Sequence, residues 1–304
     1  MDYVLETNAL TKHYRAFPAL FSLSMHVPKG AIYGFVGRNG AGKTTLIRLI
    51  CGLQEPTAGG YTLYGVGNGE AGIFRCRRRM GAVVETPSIY LDMTARENIR
   101  QQYLLLGIPS EEGIGELLQL VGLSDTGRKK ARHFSLGMRQ RLGIAVALAG
   151  SPDFLVLDEP TNGLDPQGIV EMRELILALN RTHGITVLIS SHNLDELSRL
   201  ATHYGFVDGG RMIREMSAGE LEKLSRKCVC VEVSDGKALA RLMEERGGEY
   251  RMLDDTHARL YADIPVSELV ATLARENCTL MSFTENDESL ESFYMNLVGG
   301  EHRA

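Results

Sequence analysis

The stretch that decides the fold of this chain is Gly37-Arg38-Asn39-Gly40-Ala41-Gly42-Lys43-Thr44-Thr45. An apolar run at 31–36 precedes it, and the apolar residues within 46–53 that follow recur at the spacing of one helix face. The order is therefore strand, glycine-rich turn and helix, and the turn matches the pattern G-x-x-x-x-G-K-[ST]. This context predicts a loop that binds phosphate groups.

The residue types of the loop suit that chemistry. Glycines allow a tight turn whose backbone N–H groups point at phosphate oxygens, and the following helix adds the positive end of its dipole. Lys43 supplies a full charge to the outer phosphates, and the Thr44 hydroxyl is placed to bind magnesium. The glycines are not spaced G-x-G-x-x-G, so a dinucleotide site is the weaker interpretation. A glycine-rich turn with a chance lysine would not require both flanking elements.

Two further apolar runs lead to residues that are unsuited to a protein core. The run at 154–157 ends in Asp158 and Glu159, and the run at 185–190 shortly precedes His192. Such runs are typical of buried strands in a parallel sheet, whose carboxyl ends meet at the edge where ligands bind. We expect Asp158 to be a second magnesium anchor, Glu159 to poise a water molecule and His192 to act beside them.

Composition limits the classes of function. The chain has 304 residues with 44% hydrophobic content, enough for one large and one small domain. Its net charge is −5 and it has no long basic tract, so no nucleic-acid partner is expected. Its five scattered cysteines suit a reducing compartment. We see no signal peptide and no run long enough for a spanning helix, so work at a membrane would require another chain.

The segment at 85–150 is predicted to be mostly helical, with Thr94 and Glu97 spaced as a capping box at a helix start. Strands and helices alternate again over 217–304 and end in a helix at about 289–297, which predicts a small α+β appendage. Two interpretations of Tyr14, between the predicted strands 3–10 and 20–27, stay open: a ring that stacks on adenine, or a half-exposed turn aromatic. The basic cluster Arg75-Cys76-Arg77-Arg78-Arg79 can face phosphates or acidic lipids, although a solvated helix face is the usual explanation.

One further motif points to a family. Ser135-Leu136-Gly137-Met138-Arg139-Gln140 precedes a helix, upstream of Asp158, and resembles the signature Ser-x-Gly-x-x-Gln of ATP-binding-cassette (ABC) proteins. The other motifs follow in that family's order over about residues 1–216. By this resemblance Tyr14 is the adenine-stacking aromatic, Glu85 stands at the usual glutamine of the Q-loop, Gly163-Leu164-Asp165 is the D-loop and His192 is the switch histidine.

The resemblance implies an α/β fold of the P-loop NTPase class. We expect an ABC nucleotide-binding domain at 1–216, with a mixed sheet core, an antiparallel β subdomain and a helical subdomain at about 85–150. A C-terminal accessory α+β domain is expected at 217–304. The sequence departs from the family pattern at Leu136, where most relatives have glycine, and at Glu85, which replaces glutamine. The run Val84-Glu85-Thr86-Pro87 together with Phe134-Ser135-Leu136-Gly137-Met138 resembles one branch, the ATP-binding subunits of bacitracin- and lantibiotic-type exporters.

The resemblance also implies two nucleotide domains packed head to tail with ATP between them. This chain carries one copy of each motif, so a homodimer or a pair with a close paralogue is expected. The residues expected to bind ATP are Tyr14, Gly37, Arg38, Asn39, Gly40, Ala41, Gly42, Lys43, Thr44, Thr45, Ser135 and Gly137.

Catalytic roles follow from the same resemblance. Glu159 would deprotonate the attacking water, His192 would contact the γ-phosphate, and Asp165 would bridge the two sites. The residues expected around Mg²⁺, some of them through water, are Thr44, Asp158 and Glu85.

The expected function is ATP hydrolysis that drives a separate polytopic permease and exports a peptide antibiotic or drug. The expected location is the cytoplasm, peripheral on the inner face of the cell membrane. The alternative is a soluble ABC ATPase that acts on nucleic acid or ribosomes, but the long coiled-coil insertion or second cassette of such proteins is not seen in this sequence. The intact Lys43, Glu159 and His192 argue against an inactive regulatory module.

Overall fold

The computed structural model describes residues 2–224, 228–261, 264–286, 293–295 and 297. The chain divides into two compact units, Met1–Ala218 and Gly219–Ala304. In the described part of the chain, no helix is both long enough and apolar enough to cross a membrane.

The first unit combines strands and helices throughout its length. Its strands are β1 (Tyr3–Tyr14), β2 (Phe17–Pro28), β3 (Ile32–Val36), β4 (Ala58–Leu63), β5 (Val66–Gly67), β6 (Met80–Val83), β7 (Phe154–Asp158), β8 (Thr186–Ser191), β9 (His203–Asp208) and β10 (Arg211–Ser217). Its α-helices are α1 (Lys43–Ile50), α2 (Ile73–Arg77), α3 (Ala95–Leu106), α4 (Gly113–Leu120), α5 (Leu136–Leu148), α6 (Pro166–His183) and α7 (Leu194–Ser198).

A mixed sheet with the order β10-β9-β3-β8-β7-β6 forms the centre of this unit. Its strands run parallel except for β10, which pairs antiparallel with β9. Every residue of β3, β7 and β8 is buried, as their apolar runs predict. The register pairs Val36 with Ser191 and Asp158 with Ser190, so the carboxyl ends of these three strands meet at one edge.

An antiparallel sheet with the order β2-β1-β4-β5 shares a core with α1 and the central sheet. Leu23, Leu46 and Phe154 are fully buried members of that core. Strands β1 and β2 are longer than the sequence predicts, and Tyr14 is the last residue of β1 rather than a residue of the turn. Register shifts along the pair interrupt the alternation of apolar and polar residues, so the sequence pattern does not predict where these strands end.

Helices α3, α4 and α5 follow β6 and precede β7 in the sequence, and they pack against one another. Helix α3 begins at Ala95, where the capping box predicts it. The Thr94 hydroxyl accepts a hydrogen bond of 3.2 Å from the N–H of Glu97, and the Glu97 carboxylate accepts one of 2.7 Å from the N–H of Thr94. These elements, with the two sheets, confirm the α/β fold class.

From residue 228 onward, the second unit has the order β-α-β-β-α-β of a ferredoxin-like fold. The elements from residue 218 onward are α8 (Ala218–Leu224), β11 (Cys228–Val233), α9 (Gly236–Glu245), β12 (Tyr250–Met252), β13 (His257–Leu260), α10 (Val266–Arg275) and β14 (Leu280–Asn286). The antiparallel sheet β12-β13-β11-β14 packs against α9 and α10 around buried Val231, Leu239 and Leu273.

This arrangement confirms an α+β appendage. Strand β12 was not predicted, because three residues are too few to show an alternating pattern. The terminal helix predicted at about 289–297 lies largely outside the described residues.

The capping box gives a stability prediction. Thr94→Ala removes the acceptor for the Glu97 N–H, and we expect it to lower the free energy of unfolding by about 1 kcal/mol. Thr94→Ser keeps the hydroxyl and should stay within roughly 0.5 kcal/mol of the unaltered protein. Urea unfolding followed by circular dichroism measures both. Equal transition midpoints for the two variants would contradict this cap.

Candidate nucleotide site

The phosphate loop lies between β3 and α1 and holds a lysine that is only 6% exposed. Residues 37–42 form the turn, and α1 begins at Lys43. The Lys43 ammonium donates hydrogen bonds of 2.6 Å to the carbonyl oxygen of Gly37 and 3.2 Å to that of Arg38. The charge is therefore fixed inside the loop, where it can meet a phosphate. The loop members that keep exposed or half-exposed surface are Arg38, Asn39, Gly40, Gly42, Thr44 and Thr45.

Space requires glycine at two positions of the loop. Gly42 has a φ of +103°, and a Cβ atom on it would lie 2.6 Å from the carbonyl oxygen of Ala19. A Cβ atom on Gly37 would lie 2.6 Å from the carbonyl oxygen of Val207. Both distances are too short for any larger residue, so the close packing of this loop explains the two glycines.

Asp158 is the last residue of β7, and one of its carboxylate oxygens is buried without a hydrogen-bond partner among the described residues. The residue is 2% exposed, and its Oδ1 accepts a hydrogen bond of 2.6 Å from the hydroxyl of Ser190. Its Oδ2 is buried and has no hydrogen-bond partner among the described residues. An uncompensated buried carboxylate oxygen is costly, and such oxygens are the ligands that Mg²⁺ prefers. The donor set at this position therefore fits a magnesium ion or its water.

Glu159 lies between the side chains of Lys43 and His192. Its Oε1 is 3.1 Å from the Lys43 ammonium, and its Oε2 is 2.7 Å from Nδ1 of His192. The Glu159 side chain is 18% exposed, and the His192 side chain is 43% exposed. The structure thus brings the lysine of the phosphate loop, the carboxylate after β7 and the histidine after β8 into direct contact.

Glu85 has a different neighbour from the one expected. Its carboxylate forms an ion pair of 2.5 Å with the guanidinium of Arg48 in α1, and both side chains are more than a third exposed. Its φ is +58°, in the left-handed region. Among the described residues, Glu85 forms no side-chain hydrogen bond or ion pair with Thr44 or Asp158. Its place beside magnesium stays a prediction.

Tyr14 presents its ring at the end of β1. The residue is 38% exposed, and its hydroxyl donates a hydrogen bond of 2.5 Å to the side-chain carbonyl of Gln54. The Lys12 ammonium is 5.6 Å from the ring centroid. The ring is therefore held at its edge by Gln54, with part of its surface open to solvent.

The signature and the D-loop line one cleft together. Ser135 caps α5 by accepting a hydrogen bond of 3.3 Å from the N–H of Met138, and Asp165 caps α6 by accepting one of 3.0 Å from the N–H of Gly168. Gly137, Leu164 and both capping residues line a cleft of about 450 Å³. Within the described residues, no hydrogen bond or ion pair connects this cleft to Lys43 or Glu159. The Ser135 hydroxyl can still donate its proton.

Sequence reasoning missed two residues of the site. Ser190 binds both Asp158 and the backbone of Glu159, and Arg48 pairs with Glu85. Ser190 directly follows three apolar residues at the predicted ligand edge of the sheet, and this position is a signal that could have identified it. Arg48 resembles any solvent-facing arginine of a helix, and the sequence offers no comparable signal for it.

Comparisons with known proteins cover nearly the whole chain. Residues 20–162 match the family model described as ABC transporter. The bacitracin transport ATP-binding protein BcrA of Bacillus licheniformis is 40% identical over 307 residues, which cover 99% of this chain and 99% of that protein. The lantibiotic transport ATP-binding protein SrtF of Streptococcus pyogenes is 40% identical over 73% of this chain and 94% of its own length. The solved structure of cbiO1 from Clostridium perfringens, part of the ABC transporter complex cbiONQ, has a TM-score of 0.66 at 25% identity, covering 81% of this chain and 96% of that chain.

The packing of the phosphate loop gives a second prediction. In Gly42→Ala the added methyl group would clash with the Ala19 carbonyl, and we expect a loss of about 1–3 kcal/mol in the free energy of unfolding, with weaker nucleotide binding. Gly40→Ala is a matched comparison, because Gly40 also has a positive φ of +83° but open space around it. Thermal unfolding and titration with a fluorescent ATP analogue measure both effects. If Gly40→Ala were as damaging as Gly42→Ala, the clash would not be the cause.

Proposed function

We propose a transport function for this chain, which belongs to the ABC transporter family and is an ATPase. In this proposal it powers a separate membrane permease, and the permease exports a peptide antibiotic or drug. The observation that carries this proposal is the end-to-end similarity to the bacitracin transport ATP-binding protein BcrA. That similarity covers the ferredoxin-like unit as well as the cassette. The proposed location is the cytoplasmic face of the cell membrane, beside the permease.

The proposed nucleotide contacts follow from the loop geometry. Backbone N–H groups of residues 37–45 and the Lys43 ammonium hold the phosphates, with the dipole of α1 adding to the attraction. The Thr44 hydroxyl and Oδ2 of Asp158 would hold Mg²⁺, and Glu85 would approach it through water. Mg²⁺ would neutralise charge on the phosphates. Tyr14 would stack on the adenine through the open part of its ring.

Glu159 is the proposed general base. A phosphate that approaches Lys43 competes with Oε1 of Glu159 for the same ammonium. When that ion pair breaks, the carboxylate oxygen becomes free to accept a proton from the attacking water. The imidazole of His192, 2.7 Å from the other carboxylate oxygen, orients Glu159 and is placed to contact the γ-phosphate.

Two copies of the chain are needed in this proposal. In the described part of the chain, no hydrogen bond or ion pair joins the cleft of Ser135 and Asp165 to Lys43 or Glu159, and the sequence has one copy of each motif. A head-to-tail pair, of identical chains or close paralogues, would place the Ser135 hydroxyl and the Gly137 backbone against the γ-phosphate held by the partner. Asp165 would bridge the two sites. ATP then favours the closed pair and hydrolysis releases it.

The permease is proposed to bind a groove beside the segment that follows β6. This docking groove is lined by Ser88, Ile89, Tyr90, Asn98, Gln102, Leu105 and Val146. Tyr90 and Leu105 are 50% and 67% exposed, so the groove offers apolar surface to a partner. Its chemistry fits an amphipathic cytoplasmic segment of the permease. Residues 88–90 of the groove follow Glu85 closely in the chain, so a movement of Glu85 on closure of the site would shift this side of the groove.

The base role of Glu159 gives a third prediction. Glu159→Gln cannot accept the proton, and we expect the ATPase rate to fall by roughly 10²–10⁴ while ATP binding and ATP-dependent dimerisation persist. Glu174→Gln makes the same charge change on an exposed position of α6 and should retain the rate. Phosphate release and size-exclusion chromatography with ATP and Mg²⁺ measure these outcomes. Unchanged turnover in Glu159→Gln would remove it from the base role.

The docking groove gives a fourth prediction. Leu105→Glu places a charge in the groove and should abolish co-purification of a polytopic membrane protein from native membranes while sparing basal ATPase activity. Leu104→Glu is the matched control, because Leu104 is 64% exposed on the same helix but does not line the groove. Equal recovery with both variants would place the permease contact elsewhere. Recovery of ribosomes or nucleic acid instead of a membrane protein would overturn the transport proposal.

A further inference from the structure

The hydroxyl of Ser190 connects the two adjacent carboxylate residues of the site. Ser190 lies in β8 and is 0% exposed. Its Oγ donates a hydrogen bond of 2.6 Å to Oδ1 of Asp158 and accepts one of 3.0 Å from the backbone N–H of Glu159. A serine hydroxyl has one proton to donate, so this proton is committed to Asp158 and a lone pair serves Glu159.

The bond to Asp158 fixes the direction of that carboxylate. Because Oδ1 is held, the group cannot rotate freely, and Oδ2 keeps the single orientation in which it lies buried without a partner among the described residues. Hydrogen bonds of this kind commonly orient the carboxylates that bind metals. Ser190 therefore determines where the proposed magnesium ligand points.

The bond from Glu159 holds an unfavourable backbone conformation. Glu159 has a φ of +49°, which a residue with a side chain adopts only where its surroundings impose it. Its N–H lies within hydrogen-bonding distance of both the Oγ and the carbonyl oxygen of Ser190, the latter at 3.2 Å. From this turn the side chain reaches Lys43 and His192.

We propose that Ser190 is a positioning residue that sets the metal ligand Asp158 and the general base Glu159 at the same time. This inference rests on the proposed roles of those two carboxylates. A variant that lacks the Ser190 hydroxyl still contains both carboxylates. The effect of losing the hydroxyl can therefore be measured separately from the effect of losing Asp158 or Glu159. The expected consequence is a weaker metal site together with a misdirected base.

The test compares Ser190→Ala with Thr186→Ala in the full-length chain. Thr186 lies in the same strand and is equally buried at 1% exposure, but its hydroxyl accepts a hydrogen bond from the N–H of Gly30, away from the site. Mn²⁺, as a paramagnetic substitute for Mg²⁺, is titrated into protein saturated with a non-hydrolysable ATP analogue and followed by electron paramagnetic resonance. We expect Ser190→Ala to weaken Mn²⁺ binding roughly 10–100-fold and to lower kcat. Thr186→Ala should retain the Mn²⁺ affinity whatever its effect on stability.

Three further variants make each result decisive. Ser190→Thr keeps the hydroxyl and should retain Mn²⁺ binding. If Ser190→Ala does not fold, Ser190→Cys, which keeps the size but donates poorly, replaces it and should also bind Mn²⁺ more weakly. Full Mn²⁺ affinity in the folded Ala or Cys variant, with affinity lost in Asp158→Asn, would overturn the role of Ser190 alone. Full affinity in Asp158→Asn would overturn the proposed metal ligand itself.

Discussion

Charge balance at the carboxyl edge of the central sheet constrains the rest of the first unit. Asp158 and Glu159 are neighbours at the end of a buried strand, where carboxylates without partners would be costly. The Lys43 ammonium forms an ion pair with Glu159, His192 forms a hydrogen bond with it, and the Ser190 hydroxyl donates a hydrogen bond to one oxygen of Asp158. Helix α1 must therefore begin where its first residue can reach the strand that carries these acids. The tight turn before it follows from that requirement.

The residues of the predicted nucleotide site lie in two separate places. The acids, the lysine and the histidine occupy the sheet edge, whereas Ser135 and Asp165 cap helices that line another cleft. Each capping serine or aspartate already stabilises its own helix by accepting a backbone N–H. A residue with a structural partner in the single chain can still present a remaining donor or lone pair to a second copy. In the proposed pair of chains, the side chains that stabilise α5 and α6 would therefore also contribute to the nucleotide site.

The sequence predicts those features that depend on local pattern. Apolar runs identify β3, β7 and β8, the glycine pattern identifies the turn before α1, and the Thr94 capping box gives the start of α3. Pairings between distant residues are different, because no periodicity encodes them. The contacts of Ser190 with residues more than thirty positions away, and of Arg48 with Glu85, follow only from the assembled sheet. The ends of β1 and β2 were missed for a related reason, since their register shifts are set by the partner strand.

The ion pair between Arg48 and Glu85 has a mechanical consequence. Both side chains are substantially exposed, so water screens their attraction, and such surface pairs typically contribute only about 0–1 kcal/mol. This weak ion pair therefore connects α1 to the start of the segment that leads from β6 to the helical region. A partner that displaces this segment has to overcome little attraction from the ion pair itself. Such a displacement should become easier as the ionic strength rises, because dissolved ions screen the attraction further.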